Sequence, residues 1–133
     1  MARDPLAALA RLRRLESDEA RRALGEANTR LAAAEARSAS AEAALSAEGA
    51  PGGEGDYGRW LIRGLAERDR AARAVGFAVE SAEIARQGLA ERRAAERALA
   101  QLREVRAEIA RRKILRQGQL LLDEVAARLT LRE

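Results

Sequence analysis

The sequence predicts an all-α protein in which two long helices form an antiparallel coiled-coil hairpin, the second helix longer and overhanging the first. Three observations carry this expectation. Aromatic residues make up 2% of the 133 residues and charged ones 35%, a balance that suits long helices and cannot fill a globular core. Apolar residues recur in alternating steps of four and three. One short stretch, GAPGGEGDYGRW at 49 to 60, gathers five of the ten glycines, one of the two prolines and two of the three aromatic residues.

The expected order of parts is a helix over about 5–48, a loop over 49–56 and a second helix over about 57–131, all within one coiled-coil domain. Asp4 followed by Pro5 suits a helix start, because the carboxylate accepts an orphan amide and proline gives up an N–H that would go unused there. Gly49 can close that helix in the left-handed conformation, and Pro51 cannot continue it. Asp56 marks the second start.

In the first segment the stripe runs through Ala20, Leu24, Ala27, Leu31, Ala34, Ser38, Ala41 and Leu45. In the second it runs through Leu61, Leu65, Arg68, Ala72, Val75, Val79, Ala82, Arg86 and Leu89. If the glycine-rich loop reverses the chain, residues whose numbers sum to about 106 meet, setting Ala41 against Leu65, Leu31 against Val75, Ala27 against Val79 and Leu24 against Ala82. Ser38 would face Arg68 in a soft layer. Heptads do not name their partner, so a rod pairing with other chains is the alternative; the clustered glycines favour the hairpin.

At 1.5 Å per residue the helices span about 65 Å and about 110 Å, so most of 104–133 should project past the pair. That segment carries Val105, Ile109, Leu115, Leu122, Val125 and Leu129. Gly64, Gly76, Gly88 and Gly118 interrupt the second helix, either softening it or allowing bending or close packing. Asp18 with Arg22, Glu26 with Arg30, Asp69 with Arg73 and Glu108 with Arg112 are spaced for solvated ion pairs.

Histidine and cysteine are both absent, which removes the commonest acid–base group, the commonest metal ligand and any thiolate. No enzyme activity, cofactor or metal is expected. The letters GxGxxG from Gly53 to Gly58 follow an alanine-rich helix rather than a strand, and Glu54 and Asp56 would repel phosphate. No apolar run approaches the ~20 residues of a membrane span, so no direct membrane insertion is expected and a cytoplasmic location is.

Charge is uneven. Residues 1–48 hold eight basic and eight acidic side chains, whereas 100–133 hold eight basic and five acidic. REVRAEIARRKILRQ, 103–117, could follow a nucleic-acid backbone, but no stacking aromatic accompanies it and Glu104 and Glu108 interleave the arginines, so no nucleic acid is expected. Tyr57, Trp60, Leu61 and Leu65 cluster after the loop. Trp60 could cap the coiled coil on Leu45 or serve as a protein-binding anchor, since such rings bury much area with few rotors.

The chain resembles the FliJ family of flagellar type III export proteins, related in role to the YscO-like stalk proteins of injectisomes. The resemblance is carried by PLAALARLRRLESDEARRALGEA at the start, by DYGRWLIRGLAERDRA after the glycine-rich break, and by RRAAERALAQLREVRAEIARRKILRQGQLLLDEVA late in the chain. It implies an antiparallel coiled coil whose terminal end enters the hexameric flagellar export ATPase, while another region meets the export-gate membrane protein and recycles export chaperones. On this resemblance Leu6, Leu9, Leu12, Arg13, Leu15, Arg103, Arg106, Arg111 and Arg112 face the ATPase. Tyr57, Trp60, Leu61 and Leu65 face the gate, and the protein sits at the cytoplasmic side of the inner membrane as a peripheral component. Two departures stand out: Lys113 is the only lysine in a family usually rich in it, and Ala100 and Gln101 replace a frequent Glu-Lys. A basic nucleic-acid-associated coiled coil and a generic self-assembling scaffold are the alternatives.

Overall fold

A computed structural model describes residues 4–47 and 54–132. It contains two helices, α1 over Pro5–Ser46 with 42 residues and α2 over Glu54–Leu131 with 78, packed against each other as an all-α hairpin. The start of α1 is built as its sequence requires. The Leu6 amide donates to Asp4 Oδ1 at 2.9 Å, and the Ala7 amide donates to the Asp4 carbonyl at 3.2 Å, so two orphan N–H groups are satisfied locally. At the other end Ser46 Oγ donates back to the Glu42 carbonyl at 3.1 Å.

The second helix begins earlier than the sequence suggests. Asp56, expected as its cap, lies inside the first turn of α2, which starts at Glu54. An aspartate so near the N-terminus favours that extension, because the first turn carries partial positive charge. The expected roles of Gly49 and Pro51 lie outside the described residues, as does Glu48, the expected last residue of the first helix.

The chain divides into two compact units, Leu15–Arg93 and Met1–Arg14 with Ala94–Glu133. In the first unit α1 and α2 run antiparallel, as the ion pairs Arg37–Glu67 and Glu16–Arg92 show: the later residue of α1 meets the earlier residue of α2. The α1 stripe is the expected one. Ala27 and Ala41 are buried, and Ala20, Leu24, Leu31, Ala34, Ser38 and Leu45 are half-buried between them.

Half of the α2 stripe differs from the expectation. Leu61, Leu65 and Val75 are half-buried and Ala82 and Leu89 buried, as expected, but the positions expected at Ala72, Val79 and Arg86 fall one residue earlier, at Ala71, Ala78 and Ala85, and Gly64 is half-buried beside Leu65. Ala71 is 0% exposed while Ala72 is exposed, Val79 is 50% exposed, and Arg86 points to solvent beside Glu83. Arg68 likewise leaves the seam for Asp69 at 3.5 Å, so the layer expected opposite Ser38 does not form. The physical reason is size. With alanine at Ala27, Ala41, Ala71 and Ala82 the backbones approach closely, and a Val or Arg at the contact would hold them apart.

Close approach is most evident at Gly64, where an added β-carbon would lie 2.5 Å from Leu45 Cδ2. Gly76, Gly88 and Gly118 have nothing within 4 Å of that position, so close packing explains Gly64 and not the other three. Among the described residues no helix is long and apolar enough to cross a membrane.

Candidate functional site

Two surfaces hold the residues that the sequence singled out. The first is at the start of α2, where the Tyr57 and Trp60 rings lie one helical turn apart, with centroids at 5.6 Å and planes inclined by 33°. Tyr57 is exposed and Trp60 half-buried, as are Leu61 and Leu65 beyond it. The helix repeat brings 57, 60, 61 and 64 to one side, so the cluster sits beside the Gly64–Leu45 contact. A half-buried indole is compatible with both roles considered for it.

The second surface belongs to the unit formed by Met1–Arg14 and Ala94–Glu133. Leu99 is buried here, Leu6, Leu9 and Arg13 are half-buried, and Leu12 is exposed. Asp4 reaches Arg103 at 3.7 Å, and a shallow groove is lined by Leu6, Arg103, Glu104, Arg106 and Ala107. The structure thus brings Leu6, Arg103 and Arg106 together. Leu15, on the other unit, is exposed.

Past Glu108 no described residue covers α2, and residues 109–132 are exposed throughout. Within that stretch Arg111 donates to Glu108 at 2.6 Å and to Glu104 at 3.0 Å, and Arg112 donates to Glu108 at 3.0 Å. The hydrogen bonds from Arg111 and then Arg112 hold the Glu108 carboxyl below the usual carboxylate range, and Glu108 and Glu104 raise Arg111 in return. These two arginines are therefore occupied by their own helix. Glu108–Arg112 is an ion pair expected from spacing; the bidentate Arg37–Glu67 pair, at 2.8 and 3.1 Å, joins the two helices and was not legible in local spacing.

The cations left over are different ones. Among the described residues Arg106, Lys113 and Arg116 have no ion-pair partner, and they fall on one side of α2 with the exposed Ile109 and Leu120. Sequence reasoning emphasised Arg111 and Arg112 and passed over Lys113 and Arg116 as docking residues. The available signal was the i,i+4 spacing of Glu108 to Arg112, which marks that arginine as already engaged.

No group of three or more His, Cys, Asp or Glu is placed to hold a metal ion among the described residues. The fold and its two surfaces define a helical hairpin with an uncovered helical extension. No family model matches the chain, and no curated protein or solved structure matches it.

Proposed function

We propose that this chain is a stalk-like, non-enzymatic component of flagellar type III protein export. It inserts the uncovered part of α2 into the hexameric export ATPase, links that ring to the export gate through the Tyr57–Trp60 cluster, and escorts or recycles export chaperones. It works in the cytoplasm, held peripherally at the inner membrane at the flagellar base. One observation carries the reading: α2 continues past the start of α1 with 109–132 exposed, presenting apolar side chains and unpaired cations that have no intramolecular partner among the described residues. A helix with such a face normally docks on another protein. The order of parts in the sequence, basic start, glycine-rich break with an aromatic helix entry, and basic late helix, supplies the system.

The ring would use Arg106, Lys113 and Arg116 before Arg111 and Arg112, whose carboxylate partners must first be displaced. Electrostatic steering of such a rod toward an acidic opening favours rapid association. The test is direct. Added to the cognate export ATPase, the purified chain should promote hexamer assembly and raise ATP hydrolysis; no change at saturating concentration removes this reading.

A further inference from the structure

We propose that the uncovered part of α2 pairs with the same segment of a second copy of this chain, antiparallel, in the line that α1 leaves at its start. The argument rests on continuity with the existing interface. In the unit containing Ala94–Glu133, α1 begins at Pro5 with its cap Asp4 held at Arg103, yet the side of α2 that packs on α1 does not stop there. Half-buried Ala107 is followed at steps of seven by Ile114 and Leu121, with Gly118 between those two and Val125 one turn beyond. This stripe is the same seam carried on for about five further turns with no helix against it.

A second copy fits that vacancy better than an arbitrary helix because the stripe is complementary to itself when reversed. Antiparallel pairing sets Gly118 against Leu121 of the second copy and Ile114 against Val125, with each layer occurring twice. A β-carbon at Gly118 would meet nothing within 4 Å, so that position offers the space a facing leucine fills. Leu115 and Leu122 flank the layers. Parallel pairing would instead stack Gly118 on Gly118 and leave a void. Charge at the margins is tolerated rather than complementary: Arg111 and Arg128, which would face each other, are already neutralised by Glu108 and Glu124 on their own helices at 2.6 and 2.7 Å. The unpaired Lys113 and Arg116 lie away from this stripe.

This inference stands apart from the export reading, and a pair formed this way would have to separate before the same segment entered a ring. Light scattering of the full chain across the micromolar range should show a dimer. Leu121→Glu should raise its dissociation constant at least about tenfold without loss of helicity, Leu121 being 63% exposed within the chain. Leu120→Glu, on the far side of the same helix, should change it less than about twofold. With a spin label on Ala110→Cys, two copies should report a distance of about 30 Å, against about 10 Å for parallel pairing. A monomer throughout, equal loss in both glutamate variants, or the short distance would each overturn the proposal.

Discussion

Gly64 and Leu45 mark a close approach of the two helices: a β-carbon on Gly64 would lie 2.5 Å from Leu45 Cδ2. Glycine costs a helix about 1 kcal/mol relative to alanine, so most internal glycines are sites of easy stabilisation. At Gly76, where nothing lies within 4 Å, Gly76→Ala should stabilise the chain by about 0.5–1 kcal/mol. At Gly64 the same gain is opposed by overpacking worth about 1–3 kcal/mol, eased only as far as the Leu45 side chain can turn aside. Gly64→Ala should therefore fall below Gly76→Ala in denaturant melts, and adding Leu45→Ala should narrow the difference.

The displaced half of the α2 stripe gives a sharper test. Ala71 is 0% exposed and Ala72 exposed, though they are neighbours of identical chemistry. Ala71→Leu should destabilise by about 1–3 kcal/mol, because the extra volume enters a seam of alanines. Ala72→Leu should stay within about 0.5 kcal/mol. A larger loss from Ala72→Leu than from Ala71→Leu in urea melts would put Ala72 in the seam, and equal effects would give neither alanine a special place at the contact.

That register shows where sequence reasoning reached and where it stopped. The start at Asp4 and Pro5 was legible because capping is local, and the α1 stripe was legible because Leu24, Leu31 and Leu45 stand out against its alanines. In α2 the choice between Ala71 and Ala72 carries no compositional signal, and the four-three rhythm places Val79 in the seam where close helix contact takes the smaller Ala78. The projecting end of α2 followed from the unequal helix lengths. Which carboxylate each arginine takes did not, since Arg111 can reach both Glu104 and Glu108, and Arg37–Glu67 joins residues thirty apart.

Stability should be flat in pH over the range where most proteins titrate. With no histidine, no side chain of ordinary pKa changes charge between about pH 5.5 and 8. Glu67 is held below the usual carboxylate range chiefly by its hydrogen bond from Arg37, and Glu108 by those from Arg111 and Arg112. A lowered carboxylate contributes stability that is complete above the ordinary glutamate value of about 4.3 and is lost as pH falls through the lowered one. The raised Arg37 and Arg111 place their own loss above the ordinary arginine range. Thermal melts should hold steady from about pH 5.5 to 8 and decline in acid, with Glu67→Gln reducing the acid-dependent part and salt weakening it.

Trp60 is the only tryptophan, so its emission reports on the start of α2 alone. It is half-buried while Tyr57 is exposed, which separates their contributions. Tyr57→Ala should leave the melting transition within about 0.5 kcal/mol, and Trp60→Ala should cost more, with both retaining the helical circular dichroism spectrum. If this cluster docks on the export gate, gate binding should shift the emission to shorter wavelength and either variant should weaken a pull-down. Binding unchanged in both variants would confine the cluster to packing.

The cations of α2 make a final distinction. Arg111 and Arg112 are held by Glu108, whereas Lys113 and Arg116 are unpaired among the described residues. Breaking an intrahelical pair to dock an acidic partner exchanges one ionic contact for another, so it yields less than engaging a cation that begins in water. If the chain stimulates an export ATPase as proposed, Lys113→Glu with Arg116→Glu should reduce that stimulation more than Arg111→Gln with Arg112→Gln, and should also lower the salt dependence of binding. Lys113→Gln with Arg116→Gln, which removes two charges as the arginine pair does, provides the matched comparison. An equal loss in the two glutamine pairs would mean that the intrahelical bonds open freely and the static ion pairs do not select the docking residues.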